Sequence, residues 1–333
     1  MSENRQFRLK SRPTERASAD HFTFGSAPVP VVGEGDALIK LRYLSMDPTN
    51  RIWMSDRDQY MPPVEIGAVM RGVGIGEVVE SRTSQYAVGD IVTGMLGWQD
   101  YVLASETGGV SVLPRGLPIG LPVMLNVLGG TGITAWFGLV ELAKPKEGET
   151  LVVSAATGAV GSVVGQIGKS LGLRVVGITG GRAKCDYLLK ELGFDAAVDY
   201  RADDFAAQLV AATPDGIDID FENVGGVVMR EVMARMNIGG RVSLCGMISG
   251  YNSGEDMLGD YTVILMKRLT LRGFIITDFA DRFMEAIGQL AGLLMAGKIK
   301  SNETIMEGLE NAPVALNRLF DGDKLGKLMV KVS

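Results

Sequence analysis

The run LVVSAATGAVGSVVG at residues 151–165 constrains the fold more than any other stretch, because it carries an apolar strand through a glycine-rich turn straight into a helix. Leu151 to Val153 read as a strand buried on both faces. After Gly158, apolar side chains fall at Val160, Val163, Val164, Ile167 and Leu171, one face of a 3.6-residue helix. Ala156, Gly158 and Gly161 take the three glycine places of a dinucleotide fingerprint. Gly158 permits close backbone approach, Gly161 permits tight packing of helix on strand, and the helix N-terminus faces a pyrophosphate.

The flanking pattern puts this turn in a sheet. Strand-like runs at 174–179, 196–200, 217–221 and 241–245 alternate with helical stretches at 184–192, 205–212 and 227–236. That alternation predicts an α/β fold with a doubly wound parallel sheet. Residues 7–113 read differently, as short strands such as 37–43 and 74–79 punctuated by Gly and Pro, a mostly β region. Further on, Phe283, Ile287, Leu290 and Leu294 make the core-facing stripe of a helix over 282–295. Residues 312–320 read as a helix and 327–332 as a closing strand that returns to the β region. A chain of 333 residues is too long for one compact core. Two domains are expected, one of residues 1–125 completed by 300–333, the other of 126–299.

With 33 basic and 39 acidic residues, a net charge of -6 and no block of one sign, the composition argues against a nucleic-acid surface. Its first 20 residues are polar and have no apolar signal core. The uncharged segment 116–140 is broken by Pro118, Pro122, Asn126 and glycines, so it reads as buried junction structure and not as a membrane span. Cys185 and Cys245 are too few for a disulfide scaffold and read as buried free thiols of a reducing compartment, which suggests a cytoplasmic protein. A catalytic zinc needs three protein ligands and a structural one commonly four thiolates. One histidine, His21, and two cysteines do not supply them, so no metal site is expected and His21 reads as a surface or packing residue.

In NAD-selective folds an acid about 20 residues past the glycines binds the ribose 2′-hydroxyl. Here that place reads ITGGRAK at 178–184, and no acid occurs until Asp186. Arg182 and Lys184 stand where charge-assisted hydrogen bonds would meet a 2′-phosphate. Cations at a helix N-terminus are mildly unfavourable and need such a reason.

Seven further motifs occur in order: SMDP at 45–48 with Arg51, PPVEIG at 62–67, GDIV at 89–92, GWQDY at 97–101, PKEGET at 145–150, ENVGG at 222–226 and GYN at 250–252. By these the chain resembles the medium-chain dehydrogenase/reductase superfamily over nearly its whole length. Within it, the resemblance is to the zinc-independent branch of prostaglandin, alkenal double-bond and curcumin reductases. The resemblance implies a GroES-like, mostly β catalytic domain (1–125 with 300–333) and a Rossmann NADPH-binding domain (126–299). It further implies a homodimer formed by sheet-edge pairing at 269–276, and NADP(H)-dependent reduction of the C=C bond of α,β-unsaturated aldehydes and ketones. VMRG at 69–72 stands where zinc-dependent relatives carry Gly-His-Glu.

Carried over residue by residue, the family's cofactor contacts fall on Gly158, Ala159, Val160, Gly161 and Ser162 at the turn, on Lys184 and Tyr200 beside the adenosine phosphate, and on Asn223. They continue through Cys245, Gly246, Met247, Ile248 and Ser249, then Phe274, Ile275 and Ile276. Lys324 stands where relatives usually show Asn before Leu-Gly-Lys, and Thr49 where they show Tyr.

Tyr251 follows the strand 241–245, at the carboxyl end of a parallel strand, where ligands gather in such sheets. Its phenol is the candidate catalytic donor to the enolate oxygen, acting directly or through the cofactor ribose. Tyr60 and Trp98 are candidate substrate contacts. The alternatives are an NADPH quinone oxidoreductase, since other zinc-free members of the superfamily reduce quinones, and a non-catalytic NADPH-binding protein.

Overall fold

The computed structural model describes residues 3–116, 118–252 and 261–333. The chain divides into two compact units, Met1–Leu125 with Glu303–Ser333, and Asn126–Asn302.

The first unit begins with an antiparallel hairpin, β1 (Glu3–Leu9) and β2 (Phe22–Pro28). Five strands follow: β3 (Ala37–Ser45), β4 (Gly74–Ser81), β5 (Ile91–Gly94), β6 (Tyr101–Leu103) and β7 (Val110–Val112). Ile39 and Leu41, two apart on β3, both enter a core shared with Leu9, Met70 and Trp98, as the period of a strand requires.

In the second unit, β8 (Thr150–Val153), β9 (Arg174–Thr179), β10 (Ala196–Asp199), β11 (Ile217–Glu222), β12 (Met236–Leu244) and β13 (Thr270–Gly273) form one parallel sheet in the order β10-β9-β8-β11-β12-β13. The order reverses between β8 and β11, which makes the crevice beyond their carboxyl ends the natural ligand position. Helices Ala159–Ser170, Arg182–Lys190, Phe205–Ala212 and Gly226–Arg235 connect the strands. All four residues of β8 are buried. Val163, Val164 and Ile167 pack inward from the first helix, but Leu171 lies past its last turn and is 38% exposed, so the expected apolar stripe stops at Ile167. The segment 116–140 contributes helices Leu121–Leu125 and Gly130–Trp136. Among the described residues no helix is long and apolar enough to cross a membrane.

Residues 300–302 stay with the second unit, where the Lys300 N–H donates to Gln166 Oε1 (2.8 Å) and Asn302 Nδ2 donates to the Tyr187 hydroxyl (2.8 Å). β14 (Glu303–Glu307) and β15 (Lys327–Lys331) then rejoin the first unit, with β15 antiparallel to β3. The resulting sheet has the order β14-β15-β3-β4-β5-β7, and β6 pairs with β3. Helix Ala312–Asp321 buries Ala315, Leu316 and Leu319 in the same core.

Candidate functional site

The glycine turn follows from steric facts at single residues. Ala155 adopts a left-handed backbone (φ 49°), and the Ala156 N–H donates to Ile178 O (3.0 Å), tying the turn to β9. The Gly158 N–H donates to Ala155 O (2.8 Å), and Gly158 caps the helix that starts at Ala159. A Cβ on Gly161 would stand 2.6 Å from Ala155 O and 2.9 Å from Ala156 Cα, so only glycine lets the helix lie this close to the turn. The opening amides of the helix, at Ala159, Val160 and Gly161, have no intrahelical acceptor by geometry. They sit at the carboxyl end of β8, a cradle suited to pyrophosphate. Ser162 Oγ donates to Ala159 O (3.2 Å) within the helix.

At the end of β9 the chain passes through Gly180 and Gly181 before the helix carrying Arg182 and Lys184. Asp199, at the end of β10, accepts the Gly181 N–H (2.8 Å) and the Arg201 N–H (3.0 Å) on one oxygen, Oδ1, and so pins the two loops together. Lys184 is half-buried and Tyr200 is exposed. The Arg182 side chain is 91% exposed and turned along its own helix towards Asp186 (3.3 Å).

Across the switch point, the Asn223 N–H donates to Ser154 Oγ (2.7 Å) and its Nδ2 to Ser154 O (2.8 Å). The Cys245 and Gly246 N–H groups donate to Glu222 O (2.9 and 3.1 Å), the Ile248 N–H to Asn223 O (3.0 Å) and the Ser249 N–H to Val224 O (3.2 Å). These bonds knit the ends of β11 and β12 into one surface. Tyr251 closes the short turn Ile248–Gly250, and its phenolic oxygen accepts the Met247 N–H (3.2 Å). A Cβ on Gly246 would stand 3.0 Å from that oxygen. Asn223, Gly246, Met247 and Tyr251 are therefore brought together. Phe274 packs edge-on against Phe221 (6.5 Å between ring centres) and is buried, so its ring belongs to the core.

Two carboxyls beside this surface escaped the sequence reading. Asp220 and Glu222 are fully buried on one face of β11, and Asp220 is flanked in register by Val152 and Val242. Glu222 Oε1 accepts from Ser154 Oγ and from the Val224 and Gly225 N–H groups, whereas neither oxygen of Asp220 has a hydrogen-bond partner among the described residues. Burial pushes both carboxyls above their ordinary range, Asp220 the further. The donors on Glu222 oppose the rise there, whereas the charge of Glu222 adds to it at Asp220. Burial, then the nearby Glu222, pushes the Cys245 thiol up to about 12. Cys245 is thus a protonated free thiol, and Cys185 is also a free thiol.

The remaining expected residues lie in the first unit. The Tyr60 hydroxyl accepts from Trp53 Nε1 (2.9 Å) and bonds Thr49 Oγ1, and the Arg71 guanidinium lies 5.5 Å from the Trp53 ring centre. Trp98 is corrected: it is fully buried, stacked on Phe22 (5.3 Å) and edge-on to Phe7 (6.0 Å), so it is core and not a substrate contact. Lys324 Nζ donates to Gly326 O (3.4 Å) in the loop before β15. The next lysine, Lys327, is 1% exposed and pairs with Asp47, which also accepts from Ser45 Oγ. That ion pair joins two motifs 280 residues apart. His21 Nδ1 accepts the Ser18 N–H (3.0 Å) at a turn. Among the described residues no group of three or more His, Cys, Asp or Glu side chains is arranged to hold a metal ion.

Residues 5–112 match the family described as the N-terminal domain of oxidoreductase, and residues 159–292 the family described as zinc-binding dehydrogenase. The NADPH-dependent curcumin reductase of Escherichia coli (strain K12) is 44% identical over 337 residues, covering 99% of this chain and 97% of that protein. The 2-alkenal reductase (NADP(+)-dependent) of Nicotiana tabacum is 38% identical over 305 residues, covering 90% and 88%. The crystal structure of CurA from Vibrio vulnificus in complex with NADPH aligns with a TM-score of 0.94 at 42% identity, over 99% of each chain. The shared order of motifs, the parallel sheet and these whole-length matches agree: the chain belongs to the curcumin, alkenal and prostaglandin reductase branch of the medium-chain dehydrogenase/reductase superfamily.

Proposed function

We propose that this protein reduces the C=C bond of α,β-unsaturated aldehydes and ketones with NADPH. The reading rests above all on Tyr251, held at the carboxyl end of β12 on the same surface as Asn223 and on the unit that carries the glycine turn. The protein is an oxidoreductase and its cofactor is NADP(H). The tight turn at Gly158 and Gly161 fits a pyrophosphate, and Lys184 and Tyr200 stand at the end where the 2′-phosphate belongs.

When bound, the cofactor supplies a hydride. The chain's own contribution begins with position: the opening amides of helix Ala159–Ser170 would hold the pyrophosphate, and residues 245–249 and 274–276 would lie beside the bound cofactor. As the substrate's β-carbon gains a hydride, negative charge grows on its carbonyl oxygen, and a donor fixed there stabilises the transition state more than the ground state. Tyr251 is that donor. A proton taken up at the α-carbon completes the reduction.

In this reading residues 1–125 with 303–333 form the catalytic domain, with Tyr60 a substrate contact, and 126–302 the cofactor domain. β13 is an edge strand of the parallel sheet. An edge offers unpaired backbone groups to a second strand, which supports a homodimer formed through residues 269–276.

The test is an NADPH-oxidation screen over short alkenals, aryl enones, prostaglandin-like enones and quinones. Saturated carbonyl products from the enones are expected. Turnover confined to quinones would overturn the proposal.

A further inference from the structure

We propose that Arg201 recognises the cofactor's 2′-phosphate and is a determinant of NADPH over NADH. This rests on the NADPH reading above and deepens it. In dinucleotide folds the residue that discriminates the two cofactors sits just beyond the second strand of the sheet, either an acid on the ribose hydroxyl or an arginine near a 2′-phosphate. Here β9 is that strand, and Gly180 is the first residue after it.

Arg201 comes from the end of the next strand and yet stands over Gly180. A Cβ on Gly180 would lie 2.8 Å from Arg201 Nε and 3.3 Å from its Cδ, with Tyr200 Cε1 at 2.9 Å. The guanidinium lies 5.7 Å from the Tyr200 ring centre, and its Nε meets the Tyr200 hydroxyl at 3.4 Å. The backbone is set as well, because Asp199 Oδ1 accepts both the Arg201 and the Gly181 N–H groups. One carboxylate thus ties Arg201 to the start of the helix that carries Lys184.

A guanidinium held beside a ring matches a phosphate through parallel N–H bonds in a way an ammonium does not. Arg182, the arginine nearer to β9 in sequence, lies along its own helix towards Asp186. The arginine beside Gly180 is therefore Arg201.

Calorimetric titration of the full-length protein with NADP+, NAD+, adenosine 2′,5′-bisphosphate and 5′-AMP tests this. Arg201→Ala should weaken NADP+ and the bisphosphate about tenfold, the loss of one charge-assisted contact, while NAD+ and 5′-AMP stay within about twofold. Arg182→Ala should lose less NADP+ affinity than Arg201→Ala, and Arg201→Lys should fall between wild type and Arg201→Ala. Unchanged NADP+ affinity in Arg201→Ala, equal weakening of NADP+ and NAD+, or a larger loss at Arg182 would overturn the proposal. Wild-type protein that binds NAD+ as tightly as NADP+ would instead remove the NADPH reading beneath it. Thermal melting shows whether each variant is folded.

Discussion

The phenolic oxygen of Tyr251 accepts the backbone N–H of Met247 at 3.2 Å, so the catalytic candidate is braced by its own turn. An oxygen that accepts one hydrogen bond becomes a better donor of its own proton. Tyr251→Phe should lower kcat/KM for enones about 10- to 100-fold, less than the loss of a dominant oxyanion donor, because the ribose hydroxyl of a bound cofactor would supply a second donor. Cofactor affinity should stay close to wild type. Steady-state kinetics with calorimetry check this, and unchanged enone reduction would remove Tyr251 from the mechanism.

Lys184 is half-buried on the first turn of the helix after Gly181. Lys184→Ala should weaken NADPH binding roughly tenfold and leave NADH nearly unchanged, since only NADPH carries the extra phosphate. Equal loss for both cofactors would make Lys184 a structural residue.

Among the described residues neither carboxyl oxygen of Asp220 has a hydrogen-bond partner, and the residue lies between Val152 and Val242 with Glu222 on the same face of β11. Because burial raises its proton affinity, the folded chain binds more protons than the unfolded one between the ordinary carboxyl range and the raised value. This contribution to stability is fully present below the ordinary range and is lost as pH rises through the raised value. Asp220→Asn removes the ionisation, so urea unfolding at several pH values should show the variant gaining on wild type as pH rises. Parallel profiles would contradict the assignment.

Lys327 is buried against Asp47, whose side chain is 30% exposed. Breaking a buried pair costs about 3–5 kcal/mol, and the partial exposure of Asp47 puts this one at the lower end. Lys327→Met should therefore lower the melting temperature, and adding Asp47→Asn should recover much of the loss. A single variant that melts like wild type would show that the pair contributes nothing to stability.

The βα turn was legible because its causes are local. Apolar residues 151–153, the helical period after Gly158 and the small residues at 156, 158 and 161 act within a few positions of one another, and so does the missing acid after β9. The motifs carried the fold class in the same way. Trp98 was misread because a tryptophan between Gly97 and Gln99 looks alike in a pocket and in a core, and only the hairpin bringing Phe7 and Phe22 onto it decides. Nothing local marks Asp220 and Glu222 as buried; β11 is central in the sheet with both faces covered, and that placement buries them.

The sequence by itself determined the strand, the turn and the cofactor class it suits. Tertiary structure decided which arginine lies beside Gly180, through the Asp199 bridge to Gly181 18 residues away. It also decided which lysine of the final motif is buried, through Asp47 at the far end of the chain. Backbone sterics and side-chain period are properties of neighbouring residues. Burial and ion pairing depend on what distant strands bring alongside, and no local pattern records that.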